Sequence, residues 1–107
     1  MRCVMADWSD RYHYTEENVR AYAPTSGGVY RLIYKSGDEY IVFYVGQSEN
    51  LEARLLQHLQ SSELNECIRR HLRDYTCYFR FLKVSTESER LRIEQEQIKE
   101  YNPSCNG

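Results

Sequence analysis

Two apolar runs separated by a polar turn predict a β-hairpin near the start of the chain. Residues 29 to 35 and 40 to 46 are rich in Val, Ile, Tyr and Phe, which favour strands. Residues 36 to 39 read Ser-Gly-Asp-Glu, and glycine and aspartate are turn formers. A three-residue loop in this turn would place Tyr30 opposite Tyr44, with both side chains on one face of the sheet.

The segment before the hairpin, residues 1 to 26, predicts one short helix. Thr15 can cap this helix, two glutamates follow at its positive end, and Pro24 stops it. Three aromatic residues are expected to pack this extension against a domain at residues 27 to 107: Trp8, Tyr12 and Tyr14. An exposed aromatic surface for a partner is the alternative.

Helical and strand patterns alternate after the hairpin. A helix begins near Ser48 or Asn50 with leucines at four-residue steps, and a second is predicted at about residues 63 to 73. On its apolar side, His71 is expected to be a core residue. The side-chain pattern of residues 75 to 83 alternates as it does in a β-strand, which predicts a third strand there. Both faces of the hairpin are largely apolar, which predicts an α+β domain whose small, mostly antiparallel three-stranded sheet has helices on both faces.

The last helix places a carboxylate on its inward side. Thr86 and Glu89 predict a capping box at its start. The inward positions then follow at steps of three and four residues: Leu91, Glu94, Ile98 and Tyr101. A buried carboxylate is costly without a cation, a hydrogen-bond network or a metal. The pattern alone leaves open whether Glu94 forms a structural salt bridge or binds a metal.

The composition is that of one small domain of 107 residues. No apolar run approaches the roughly 18 residues of a membrane span, and the first residues lack the apolar stretch of a signal peptide. We therefore expect an intracellular protein without a membrane partner. The four cysteines show no CxxC spacing. We expect them to be reduced, with Cys67 and Cys77 as small core residues rather than zinc ligands.

The formal net charge of −2 is unusual for a protein that binds nucleic acid. The charge is unevenly distributed, because basic residues exceed acidic ones by three between residues 65 and 83. Within this stretch, Arg69, Arg70 and Arg73 are candidates for phosphate contacts. Individually, these arginines fit a solvated helix face equally well.

Two tripeptides in the hairpin, Gly28-Val29-Tyr30 and Tyr44-Val45-Gly46, resemble the motifs of the GIY-YIG nuclease superfamily, with Val in place of Ile in both. Further elements follow in the order that the family has: Arg54 and His58 on one helix, Glu94 on the last helix, then Pro103 and Asn106. The match covers residues 27 to 106. Each tripeptide alone is weak evidence, whereas five elements in the right order are specific.

The resemblance implies a site that hydrolyses phosphodiester bonds. Glu94 would hold Mg²⁺ or Mn²⁺, since magnesium is commonly bound by one or two carboxylates together with substrate oxygens and water. Arg54 would bind phosphate oxygens through its planar fork. Tyr30 is the family's general base, with its pKa lowered by a nearby metal or arginine. Tyr44 and His58 would orient water or phosphate, and His58 can also relay a proton.

The resemblance further implies a metal-dependent DNA endonuclease of repair or recombination. Ser48, in the polar step after the second tripeptide, joins the arginines as a DNA contact. Some repair-type members carry a lysine directly after that tripeptide, where this chain has Gln47. Target choice is expected to come from a partner protein. The alternatives are a non-catalytic nucleic-acid or protein interaction module, or a subunit of a larger assembly if Trp8 and the amino-terminal tyrosines are exposed.

Overall fold

The computed structural model describes residues 8–107, in which four antiparallel strands form one sheet in the order β1-β4-β2-β3. In chain order the elements are β1 (Tyr12–His13), α1 (Glu16–Tyr22), β2 (Gly28–Ser36), β3 (Glu39–Ser48), α2 (Leu51–His58), α3 (Glu66–Asp74), β4 (Cys77–Lys83) and α4 (Glu87–Tyr101). The α+β fold is confirmed, but the prediction of three strands was wrong. Strand β1 has only two residues, too few to give a recognisable sequence pattern.

The β2-β3 hairpin has a tighter turn than the sequence predicted. Gly37 takes a φ of 61°, a left-handed conformation that glycine adopts without steric cost. In the resulting register Tyr30 pairs with Gly46, and Leu32 pairs with Tyr44. The predicted direct pairing of Tyr30 with Tyr44 was therefore wrong.

A β-bulge nevertheless brings Tyr44 to the face that carries Tyr30. The pairing shifts between Leu32 and Ile33, so that Phe43 has no direct partner on β2. One extra residue reverses the alternation of side chains on the rest of its strand. Without the bulge, the tight turn would send Tyr44 to the other face of the sheet.

The main core lies between that face of the sheet and helices α1, α2 and α3. Its largest fully buried side chains are Tyr30, Leu32, Phe43, Leu51, Leu55 and Phe79. The extension contributes Tyr14, which is buried and donates its hydroxyl to the Leu55 carbonyl at 2.6 Å. The capping of α1 by Thr15 is confirmed, since its side chain accepts a hydrogen bond from the Asn18 amide. Within residues 8–107, none of the helices combines the length and apolar character needed to cross a bilayer.

His71 is half-buried and packs against this core, so the predicted core position is met only in part. Its ring stacks on Phe43 with centroids 4.6 Å apart, and its Nδ1 donates to the Cys67 carbonyl at 2.8 Å.

Helix α4 covers part of the opposite face. Arg31 donates its Nε to Gln97 at 2.7 Å, and Arg90 donates its Nε to Gln47 at 3.1 Å. Arg31 and Gln47 alternate with Tyr30 and Gly46 along their strands, so these contacts place α4 on the face away from the tyrosines.

The inward stripe of α4 was predicted only in part. Leu91 and Tyr101 are 43% and 37% exposed, whereas Arg90 is only 7% exposed. Arg90 faces inward because its guanidinium also donates to the carbonyls of Val84 and Ser85. The predicted capping box is absent too, since the Thr86 side chain makes no capping hydrogen bond.

The cysteine prediction was half wrong. Cys77 is free and buried, as expected, whereas Cys67 forms a disulfide with Cys105. Cys105 reaches α3 because the segment after α4 returns along β3, where the Cys105 amide donates to the Phe43 carbonyl at 2.9 Å. The remaining cysteine, Cys3, lies outside the described residues.

Candidate catalytic site

A continuous chain of hydrogen bonds links a tyrosine, a histidine and a glutamate. The Tyr30 hydroxyl lies 2.7 Å from His58 Nε2, and His58 Nδ1 lies 2.7 Å from Glu63 Oε1. Glu63 is held in turn by the Asn65 amide, which donates to its other oxygen at 2.8 Å. Because a carboxylate can only accept, His58 carries its proton on Nδ1, and its Nε2 accepts from the Tyr30 hydroxyl.

Burial keeps the tyrosine and the histidine uncharged at rest. Tyr30 is 0% exposed and His58 is 1% exposed. Burial raises the pKa of Tyr30, and Tyr44 and Glu94 act in the same direction, while Arg54 opposes them. The lowering by an arginine that the sequence predicted is thus present but outweighed. Burial also lowers the pKa of His58 and outweighs its hydrogen bond to Glu63.

Glu63, by contrast, is held as an anion. Burial acts to raise its pKa, but the Asn65 amide, the hydrogen bond and charge of His58, and the charge of Arg54 together lower it. An anionic Glu63 favours a positive charge on His58 whenever His58 takes up a proton. The chain of hydrogen bonds therefore connects the neutral Tyr30 hydroxyl, through a neutral His58, to the Glu63 carboxylate.

Arg54 supplies the positive charge on the solvent side of this chain. It lies on α2, and its Nη1 donates to Gln57 at 2.8 Å. Burial lowers its pKa, but the neighbouring Tyr30, Tyr44 and Glu63 outweigh burial and raise it. An open cleft of about 330 Å³ begins here, lined by Arg54, Gln57, Gln60, Ser62, Glu63 and Leu64.

Tyr44 completes the aromatic part of the site. Its half-buried ring lies 6.1 Å from the ring of Tyr30 and 5.5 Å from that of His58, measured between centroids. The backbone beside it is clamped by Asn106, whose side chain accepts from the Val45 amide and donates to the Val45 carbonyl, both at 2.8 Å.

The glycines of the two tripeptides are required by close packing. A Cβ on Gly46 would lie 2.4 Å from the Tyr30 hydroxyl oxygen. A Cβ on Gly28 would lie 2.2 Å from the Leu82 carbonyl oxygen and 2.7 Å from a methyl carbon of Leu51. Real contacts are longer, so any side chain at Gly46 would displace the Tyr30 phenol.

Glu94 is a half-buried carboxylate without a counter-charge. Within residues 8–107 it forms no hydrogen bond and no salt bridge, so the structural salt bridge considered from the sequence is absent there. Burial raises its pKa. The family resemblance predicted that Glu94 and the tyrosines form one site, whereas α4 approaches edge strand β3 from the other face of the sheet. The charge of Glu94 still reaches Tyr30 and raises its pKa.

The predicted DNA contacts are scattered over two elements. Arg69 and Arg73 line an open cleft of about 360 Å³ that also touches His58, although Arg73 is paired with Asp74 at 2.9 Å. Arg70 is exposed on the same helix. The Ser48 hydroxyl is engaged in the turn before α2, where it donates to the Asn50 carbonyl and accepts from the Asn50 amide.

Gln47, at the position where some members carry lysine, is turned toward α4. Its Oε1 accepts the hydrogen bond from Arg90, a residue that the sequence gave no reason to select. Glu63 was also missed, because no motif marks it: it lies in the loop before α3, which begins at Glu66, and its role rests on its contact with His58.

Comparison with known proteins identifies the family of this chain. The model of the UvrC-like GIY-YIG domain matches residues 26–107. This chain belongs to that family. The family predicted from the two tripeptides is thereby confirmed.

The curated relatives are proteins named UvrABC system protein C. One from Wolbachia pipientis is 37% identical over 84 residues, and one from Rhodospirillum rubrum is 37% identical over 83 residues. Each match covers 78% of this chain but only 13% and 12% of the relative. The chain therefore spans about one eighth of the length of these relatives.

Solved structures share the fold as well. The N-terminal GIY-YIG endonuclease domain of UvrC from Thermotoga maritima, solved with magnesium as its catalytic divalent cation, superposes with a TM-score of 0.65. It is 27% identical, and the match covers 87% of this chain and 100% of that domain. A point mutant of the same domain, also bound to its catalytic cation, gives a TM-score of 0.65 at 26% identity.

Proposed function

We propose that this chain is a divalent-metal-dependent endonuclease domain that hydrolyses DNA phosphodiester bonds. The observation that carries the proposal is the Tyr30–His58–Glu63 chain, set beside the cationic Arg54 and within electrostatic reach of the unpaired Glu94. A binding module has no need of a buried proton path. The solved Thermotoga maritima domain with its catalytic magnesium supports the same reading.

Tyr30 acts in this proposal as a general base through its neighbour. At rest the phenol O–H donates a hydrogen bond to His58 Nε2. A lone pair on the phenol oxygen is therefore free to accept a proton from the attacking water. As that proton arrives, the original phenol proton moves to His58, and Glu63 stabilises the imidazolium that forms. Tyr30 therefore needs no phenolate at rest, which agrees with its raised pKa.

Arg54 stabilises the charge that grows on the phosphate oxygens. Its guanidinium is permanently charged and planar, so it can donate two parallel hydrogen bonds to a phosphodiester. Its Nη1 donates to Gln57 at 2.8 Å, and the open cleft beside it gives a phosphate access to the guanidinium. Tyr44, beside Tyr30 and His58, would hold water or phosphate in line with the base.

Glu94 fits a hard divalent cation. It is a carboxylate, and within the described part of the chain it has no cation or donor to neutralise it. A bound Mg²⁺ would polarise the phosphate and help the leaving oxygen depart. We propose magnesium as the resident ion and manganese as a functional substitute.

Partners and location extend the proposal. The relatives are named as components of a UvrABC system, and we infer that proteins of such a system direct this domain to its DNA. Residues 27–107 are proposed as the catalytic domain and residues 1–26 as its extension. An intracellular location stays a prediction.

Cleavage assays on linear, nicked and branched DNA test the proposal. The purified chain should cut at least one of these substrates with Mg²⁺ or Mn²⁺ and none of them in EDTA. The runner-up, a non-catalytic interaction module, predicts binding without cleavage under every condition. Cleavage that persists undiminished in EDTA would contradict the metal assignment.

A further inference from the structure

The face of the sheet that α4 leaves partly uncovered carries arginines interleaved with aromatic rings. We name it the back surface and define it by Trp8, Arg11, Arg31, Tyr40, Tyr78 and Arg80. The strand register places Arg31 opposite Arg80 and Lys35 opposite Tyr40 on the face away from Tyr30. The back surface therefore faces away from Tyr30, and helix α4, which carries Glu94, borders it through the Arg31–Gln97 hydrogen bond.

Two arginines of this surface are direct cross-strand neighbours. Like charges placed opposite each other destabilise a sheet. Burial lowers the pKa of Arg31, Tyr101 opposes that, and Arg80 lowers it further. Neither arginine forms a salt bridge among residues 8–107, although the charge of Glu100 reaches Arg31. Positions that break a local stability rule are expected at functional sites.

Hydrogen bonds hold these arginines in place without neutralising them. Arg31 donates its Nε to Gln97 at 2.7 Å, and Arg80 donates its Nε to the Ser9 carbonyl at 2.8 Å. Both partners are neutral. The pair is thus a fixed double positive charge that no salt bridge among residues 8–107 neutralises, on a chain whose net charge is −2, and its natural complement is an anion.

Flat rings flank the charges on both sides. The Arg31 guanidinium carbon lies 3.8 Å from the ring centroid of Trp8, and that of Arg11 lies 3.5 Å from the ring centroid of Tyr40. The rings of Tyr40 and Tyr78 contact each other edge-on, with their centroids 5.4 Å apart. Aromatic platforms along a positive groove are how proteins bind single-stranded nucleic acid, because unpaired bases stack on rings while arginines hold the phosphates.

We propose that the back surface binds single-stranded DNA. Phosphates lie at the Arg31 and Arg80 pair, and bases stack on Trp8 at one end and on Tyr40 and Tyr78 at the other. Duplex DNA does not offer unstacked bases to these rings, so a single strand is the better fit. The proposal goes beyond the endonuclease function, since this surface faces away from Tyr30 and needs no metal.

The chain contains a single tryptophan, so Trp8 fluorescence reports directly on the back surface. Titration with oligothymidylate in EDTA should quench this fluorescence saturably, and fluorescence anisotropy of a labelled oligonucleotide should give the same affinity. Arg80→Ala should weaken binding several-fold and reduce the slope of log K against log salt by about 0.7, the value for one phosphate contact on a single strand. Arg80→Lys, which keeps the positive charge, should restore most of the affinity and most of the salt slope.

Two variants separate this surface from other sites. Arg92→Ala removes an exposed arginine of α4 that is already paired with Glu89 and Glu96, and it should leave quenching and affinity unchanged. Tyr78→Leu removes a stacking ring while it keeps every charge, and it should weaken binding with an unchanged salt slope.

Several outcomes would overturn the proposal. One is binding without any change in Trp8 fluorescence, and another is equal affinity in wild type and in both Arg80→Ala and Tyr78→Leu with unaltered melting temperatures. Equal quenching by duplex DNA would refute the single-strand assignment. Binding lost only in Arg54→Ala would place the DNA at the catalytic site and would leave the endonuclease proposal intact.

Discussion

Replacement of Glu63 by glutamine tests whether the buried proton path works as a path. The change keeps the shape of the side chain and removes the charge that faces His58 Nδ1 at 2.7 Å. A hydrogen bond to a charged partner contributes about 1.5–3 kcal/mol. If that contribution is realised only when His58 is protonated in the transition state, the cleavage rate should fall about 10- to 100-fold.

The pH dependence gives the second readout. In the proposed mechanism cleavage needs a neutral His58, so the rate should fall as the pH drops below the pKa of His58. Burial already lowers that pKa, and Glu63 partly restores it. Loss of the Glu63 charge should lower the pKa of His58 further, so the acid limb of the rate profile should move to lower pH while the plateau falls.

Single-turnover cleavage rates between about pH 5 and 9 measure both effects. Glu66→Gln is the matched control, since it removes an exposed carboxylate three residues away and should change neither the plateau nor the limb. A Glu63→Gln variant with wild-type rates and an unshifted acid limb would refute the proposed proton transfer from Tyr30 to His58.

Three further predictions concern the disulfide, Gly46 and Arg54. Reduction of the Cys67–Cys105 disulfide, which closes a loop of 38 residues, should lower the free energy of unfolding by roughly 4 kcal/mol on the chain-entropy model, measured as a drop in melting temperature. Gly46→Ala should abolish most cleavage and lower stability by about 1–3 kcal/mol, because its Cβ would occupy the place of the Tyr30 hydroxyl. Arg54→Ala should reduce the cleavage rate about 100-fold but weaken DNA binding only modestly.

Each of these predictions has a contrary result. An unchanged melting temperature in a reducing agent would show that the disulfide does not hold the tail. Wild-type cleavage by Gly46→Ala would show that the Tyr30 hydroxyl tolerates displacement. Equal losses of rate and affinity in Arg54→Ala, each measured at one fixed salt concentration, would reduce Arg54 to a binding residue.

Local signals in the sequence predicted the local structure well. Thr15 was identified as a helix cap because the residues that decide capping are adjacent to it. Tyr30, Arg54 and His58 were selected through the resemblance of short motifs to a nuclease superfamily, and the structure brings the Tyr30 hydroxyl within 2.7 Å of His58. His71 was placed in the core by its helical spacing to apolar neighbours.

Features that depend on distant contacts were missed. The bulge at Phe43 lies beside the C-terminal segment that follows α4. No residue near Phe43 in the sequence indicates contact with a segment that begins some 60 residues later. The same segment explains why Cys105 and Cys67 meet although their spacing resembles no known motif. Arg90 was missed because its partners are backbone carbonyls, which every residue has.

The central claim is that Glu94 holds a catalytic metal. Single-turnover cleavage of the best DNA substrate with Mg²⁺ should be compared for wild type, Glu94→Gln and Glu96→Gln, the last of which removes an exposed carboxylate on the same helix that is paired with Arg92. The account predicts a loss of about 100-fold or more in Glu94→Gln without a lower melting temperature, and little change in Glu96→Gln. Wild-type cleavage by Glu94→Gln would contradict it.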